Sequence, residues 1–200
     1  MSDVRMPVQK RSIEKRNRII EKGFELMCEN GYYNTNTGDI AKYANVSTGI
    51  IYQYFNDKKE IFIEGVKNYS DTIMFPLLDV LKHKDIKFNN LEDVLSKMLD
   101  VFIKKHTLSK KAHEEMIALS HLDEDIADVF CNKEIELTKK IVETLNENNI
   151  ENENLFEKVH ISIGIVENYC HEVVYHNHKA LNYKVMKQEI VKIINSIIKK

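Results

Sequence analysis

Two short runs carry enough polar chemistry, closely enough spaced, to act as sites. One is NVSTGIIYQYF, residues 45–55, where Ser47, Thr48, Tyr52 and Tyr54 bring hydroxyls and Gln53 brings an amide. The other is HEVVYHNH, residues 171–178, with three His and a Glu. Zinc peptidases use HExxH because His at i and i+4 share a helix face and the Glu serves as base. Here His171 and His176 are five apart, which turns them about 140° away from each other on a helix. His176 and His178, two apart, diverge as well while the helix continues. The run reads as polar or interface His, and no metal is expected; a metal-dependent helical enzyme using His171–His178 is the alternative. No GxGxxG, GxxxxGK[ST] or GxSxG occurs, so no cofactor and no enzymatic activity are expected.

The first run has other uses. Gln can pair with the N6/N7 edge of adenine in a major groove, and Ser, Thr and Tyr hydroxyls are common phosphate donors. By propensity the run is a strand, but both flanks are helical. From Ser12, apolar residues Ile19, Ile20, Phe24, Leu26 and Met27 recur at helical spacing until Asn30-Gly31, which reads as a left-handed cap. Asn36 or Thr37 can cap a short helix to about Ala44, and Asp57 a third one carrying Ile61, Phe62, Val66 and Tyr69. A short helix, a turn of about three residues plugged by Val46 and a second short helix make a helix-turn-helix. Ile51 and Phe55 then face inward, and Thr48, Gly49, Tyr52 and Gln53 face outward, with Ser47 as a natural cap.

Composition supports helices throughout. The 200 residues include only two Pro and six Gly, too few breakers for a sandwich or barrel. Further helices are expected over 91–107, 110–122, 125–148, 155–178 and 183–198, with Pro76 kinking or ending the segment before them. Three Cys, far apart and in no CxxC pair, fit a reducing cytosol; a cytoplasmic location is expected. The net charge of −2 divides into +2 over residues 1–60 and −4 beyond, with +4 concentrated in residues 1–22. A basic arm ahead of an acidic body points one end toward a polyanion.

Residues 31–62, GYYNTNTGDIAKYANVSTGIIYQYFNDKKEIF, resemble the DNA-binding segment of the tetracycline-repressor (TetR) family. The Gly-Tyr after the first helix, DIA, VSTG, YQYF and the Lys opening the next helix carry the resemblance, which extends over about residues 12–65. It implies an all-α chain of about nine helices. Residues 1–57 would be a three-helix helix-turn-helix domain and residues 58–200 a helical effector-binding and dimerisation domain. It also implies DNA contacts from Asn36, Thr37, Ser47, Thr48, Gly49, Ile50, Tyr52, Gln53, Tyr54 and Lys58. Gln53 leads for base reading, Tyr52 and Tyr54 for phosphate, and Lys58 for backbone anchoring. Ile50, where Thr is common, suggests apolar contact with a thymine methyl.

By the same resemblance, the second part would supply dimerisation and a ligand pocket. The helix from Leu155 is apolar almost all round, and the last helix has a wide apolar face, so both need burial on more than one side. Ile161, Gly164, Ile165, Val191, Ile194 and Ile198 are the candidate dimer residues. Met98, Phe102, His106, His113, Met116, Phe130 and Tyr169 are the candidate ligand residues, around an apolar cavity suited to a hydrophobic or flat aromatic effector. The expected function is a homodimeric repressor released from a pseudo-palindromic double-stranded operator by a small molecule; a ligand-free DNA-organising relative is the alternative.

Overall fold

Helix α1 (Lys10–Asn30) buries Ile19, Ile20, Gly23, Leu26 and Met27, a single stripe at helical spacing. It stops at Gly31, with φ +90° and ψ 140°. The expected left-handed cap is therefore corrected. The φ is positive but the ψ is extended, a region open essentially to Gly alone. The computed structural model describes residues 9–74, 78, 81, 86–87, 89–108 and 110–199. Pro76 lies outside the described residues.

Helices α2 (Thr37–Tyr43), α3 (Thr48–Tyr54) and α4 (Lys58–Met74) follow. Then come α5 (Leu91–Leu108), α6 (Lys110–Ser120), α7 (Glu124–Glu147), α8 (Leu155–His171) and α9 (Tyr183–Lys199). The chain is thus all-α, with nine α-helices and no strand among the described residues. The helix expected to reach His178 ends earlier, in a π-helical turn over Glu172–His176 closed by Asn177 at φ +47°.

Two compact units form. The first comprises Met1–Tyr69 and Lys111–Phe130, the second Ser70–Lys110 and Cys131–Lys200. The expected boundary at residue 57 falls within the first unit. Its core gathers Ile19, Met27, Ile40, Ile51, Phe55 and Phe62, together with Met116, Leu119 and Ile126. Apolar residues from α6 and α7 therefore complete the core of the N-terminal helices. Phe62 packs against Phe24 in a tilted arrangement and against Tyr32 edge-on, at centroid distances of 5.4 and 5.2 Å.

Two glycines fix how closely these helices approach. A Cβ at Gly23 would stand 2.7 Å from Ile61 Cγ2 and 3.0 Å from Ile40 Cγ2. At Gly65 a Cβ would overlap the Phe24 ring. In the second unit α9 packs on α5 and α8, and α5 on α8. Leu99, Leu137, Val159 and Ile194 are among its buried residues.

Candidate nucleic-acid interface and internal cavity

The interface begins at the cap of α2. Asn36 Oδ1 accepts the backbone N–H groups of Gly38 (2.8 Å) and Asp39 (3.0 Å), and Asp39 Oδ2 accepts the Asn36 N–H at 3.1 Å. This reciprocal capping box satisfies helix-end donors that otherwise lack partners. Asn36 therefore has a structural task, as the sequence allowed, and its amide oxygen is engaged within the chain.

The turn into α3 is made by Ala44, Asn45 and Val46. Asn45 adopts φ +52°, a left-handed conformation that Asn tolerates better than most residues. The Val46 N–H returns to Ala41 O at 2.9 Å, and its side chain packs against the core. Sequence reading gave Val46 a role but missed Asn45; its signal is an Asn just past a short helix. In α3, Ile51 and Phe55 are buried at 0% and 1% exposure, so tertiary packing overrides strand propensity here.

The outward residues differ in their availability. Ser47, Thr48, Gly49, Tyr52 and Gln53 are exposed. Ser47 is the cap residue of α3, as expected, but makes no side-chain cap hydrogen bond, which leaves its hydroxyl out of the cap. At Gly49 a Cβ would meet only Ser47 Oγ, at 4.0 Å, so nothing within the chain demands a glycine. Ile50 and Tyr54 are half-buried and pack against the core. Thr37 Oγ1 and Tyr52 Oη share a hydrogen bond of 3.0 Å.

Lys58 is placed differently from its expected role. Its Nζ donates to Tyr32 O at 2.6 Å and Thr35 O at 2.8 Å, and sits 4.4 Å from the Tyr32 ring centroid. Two of its protons thus hold the loop between α1 and α2. Arg16 is similarly committed, donating to Glu64 Oε2 at 2.9 Å with its guanidinium over Phe55. Lys10, Arg11, Arg18 and Lys42 are exposed basic residues of the same unit.

Residues 19–64 match the model of the bacterial regulatory proteins of the tetR family. Residues 19–64 thus carry the N-terminal segment of that family. It is 49% identical over 59 residues to the HTH-type transcriptional regulator HbdR of Aromatoleum sp. (strain CIB), covering 30% of this chain and 26% of HbdR. It is 32% identical over 92 residues to the fatty acid metabolism regulator protein of Bacillus subtilis (strain 168), covering 46% and 47%. The chain thus spans about a quarter to a half of these curated relatives. Among solved structures, GusR of Salmonella enterica shares the fold with a TM-score of 0.70 at 14% identity, covering 94% of this chain and 97% of that one.

The second unit holds an apolar cavity of about 70 Å³. Met98, Phe102, Leu137, Ile141, Val166 and Ile194 are among its walls, and Ser162 is the polar exception. Even Ser162 turns its hydroxyl to Lys158 O, at 2.7 Å. Of the expected ligand residues, only Met98 and Phe102 line this cavity. His106 is buried beside it, its Nδ1 3.0 Å from Phe102 O, with burial and then His171 holding its pKa low. Tyr169 donates to Tyr183 O at 3.0 Å. Met116 and Phe130 pack in the first unit's core, and His113 lies against Tyr69 at a centroid distance of 6.5 Å.

The candidate dimer residues also separate. Ile161 is 56% exposed, and a Cβ on Gly164 would meet nothing within 4 Å. Ile165 is half-buried. Val191, Ile194 and Ile198 are buried within the protomer, and Ile194 and Ile198 face the cavity. The wide apolar face of α9 is explained by burial on the inside, with Ile193 at 48% exposure left on the outside.

At the end of α8, His176 and His178 stack at 5.6 Å, since the helix has ended by that point. Among the described residues, no group of three or more His, Cys, Asp or Glu is arranged to hold a metal ion. No helix among them is long and apolar enough to cross a membrane.

Proposed function

We propose that this protein is a cytoplasmic DNA-binding transcriptional regulator, a homodimeric repressor that leaves a pseudo-palindromic operator when a small apolar effector occupies the second unit. The observation that carries the reading is α3 itself. Ile51 and Phe55 anchor it from below, while Thr48, Tyr52 and Gln53 stand exposed above. Such a helix can enter a major groove with an amide for a base edge and hydroxyls for phosphate. Two copies about one DNA turn, roughly 34 Å, apart would read a two-fold site. Ile161 and Gly164, both exposed on α8, support pairing through that helix.

The cavity supports a hydrophobic effector, because its single polar lining side chain is already hydrogen-bonded within the chain. One relative is named a fatty acid metabolism regulator, and an acyl chain suits walls of Leu, Ile, Val, Met and Phe. The effector need only bind the DNA-incompetent state more tightly. A hundredfold preference corresponds to about 2.7 kcal/mol, within ordinary allosteric coupling. Selection of bound sequences from a random duplex pool tests the reading: a pseudo-palindrome is expected, and a pool with no enriched site would overturn it. Fatty acids then release the selected DNA; intact binding that no small molecule releases would favour a ligand-free DNA-organising protein.

A further inference from the structure

We propose that Glu115 of α6 is a positioning residue for DNA recognition, acting through the backbone of Tyr32. This inference rests on the DNA-binding reading above. Glu115 lies beyond the residues matched to the family model, which end at 64. Its Oε1 accepts the Tyr32 N–H at 2.6 Å. The carbonyl of the same residue accepts from Lys58 Nζ, also at 2.6 Å. One residue of the loop between α1 and α2 is thus held at its N–H by an anion and at its C=O by a cation, each from a different helix.

The grip is relayed toward α3 over a few residues. Lys58 also holds Thr35 O, and Thr35 Oγ1 donates to Gly31 O at 3.0 Å, folding the loop on itself. Thr35 is 2% exposed, so the loop is pinned beneath the surface. The next residue, Asn36, caps α2, and the one after it, Thr37, is bonded to Tyr52 on the outward face of α3. A second ion pair, Lys59 Nζ to Asp123 Oδ2 at 2.8 Å, ties the start of α4 to the turn after α6. Withdrawing the carboxylate frees the Tyr32 peptide, and with it the loop from which α2 starts. A helix outside the DNA-contacting segment therefore sets how well the reading face is organised.

The test compares Glu115→Asp and Glu115→Gln with the wild type in the full-length protein. Asp is one methylene too short to hold the N–H, whereas Gln keeps an acceptor in place. Glu115→Asp is expected to weaken binding to the selected operator about tenfold, the scale of one lost charge-assisted hydrogen bond. Its low-salt binding to random duplex stays within twofold, and Tyr32 amide exchange speeds up. Glu115→Gln recovers most of the operator affinity. Wild-type operator affinity in Glu115→Asp would overturn the proposal. So would a parallel fall in operator binding, random-duplex binding and thermal midpoint, which marks a purely structural residue. A wild type that selects no operator refutes the DNA-binding reading instead, so the two failures are distinguishable.

Discussion

Thr37 Oγ1 and Tyr52 Oη lie 3.0 Å apart, joining the first residue of α2 to the outward face of α3. Because the pair is exposed, its net contribution to folding is small, about 0.5–1 kcal/mol. Tyr52→Phe keeps the ring and removes the hydroxyl. Its melting temperature is expected to stay within about 3 °C of wild type, while operator affinity falls about three- to tenfold through the lost phosphate donor. Fluorescence anisotropy alongside a thermal melt checks both; full affinity would place Tyr52 away from phosphate.

Gln53 is exposed next to Tyr52 and has the amide suited to an adenine edge. Gln53→Ala is expected to cost about 1–3 kcal/mol on the preferred operator and to relax preference at a single base position. Repeating the duplex selection with the variant shows this as one position losing its enrichment. A uniform loss at every position would mean Gln53 contacts only backbone.

Lys58 acts inward, on Tyr32 O and Thr35 O. Lys58→Ala leaves these part-buried carbonyls without their donor and should destabilise the protein by about 1–3 kcal/mol in urea unfolding. The salt dependence of DNA binding should keep its slope, because no phosphate contact is removed. A slope reduced by about one would restore the phosphate-anchor role.

Glu167 is pushed up to about 7 by burial and then by Glu134. Between its ordinary value of 4.5 and neutrality, the folded chain keeps a proton that the unfolded chain has released. Stability from this group is therefore complete at the acid end, falls as pH rises through that window, and levels off above it. Glu167→Gln cannot ionise and lacks the slope. The variant should match wild type near pH 4.5 and exceed it by about 1–3 kcal/mol at about pH 8. Urea unfolding at the two pH values decides; equal differences at both would show that Glu167 does not titrate as described.

Gly164→Leu places a side chain where the protomer offers no contact within 4 Å. The isolated chain gains helix propensity, about 1 kcal/mol on leaving Gly, so its fold survives. A partner helix pressed against Gly164 would be forced away. If the proposed pairing runs through α8, sedimentation is expected to show a dimer for the wild type and a folded monomer for the variant at the same concentration. A variant that dimerises as tightly would move the seam elsewhere on the chain.

The helix-turn-helix was legible because its signals are local: a cap before α2, Val46 in the turn, and Ile51 and Phe55 four apart. Nothing local revealed that Lys58 faces inward or that Glu115 grips Tyr32. The first depends on where a loop carbonyl lies, and the second joins positions 83 apart in sequence. Ile194 and Ile198 looked like seam residues because a wide apolar stripe records burial without recording what covers it. Here α5, α8 and a cavity share that work. His113, Met116 and Phe130 lie away from the cavity for one reason: the first unit recruits residues 111–130 for its own core.

At Gly23 and Gly65 the helices of the first unit meet with a hydrogen atom as the only side chain that fits. Such crossings behave like the pivot pins of a rigid frame. They leave side-chain substitution free to alter what the outer surface says, but not the spacing at which it is spoken. On the DNA-binding reading proposed above, a library that diversifies Thr48, Tyr52 and Gln53 is expected to re-address the protein to new DNA, provided those two positions are left untouched.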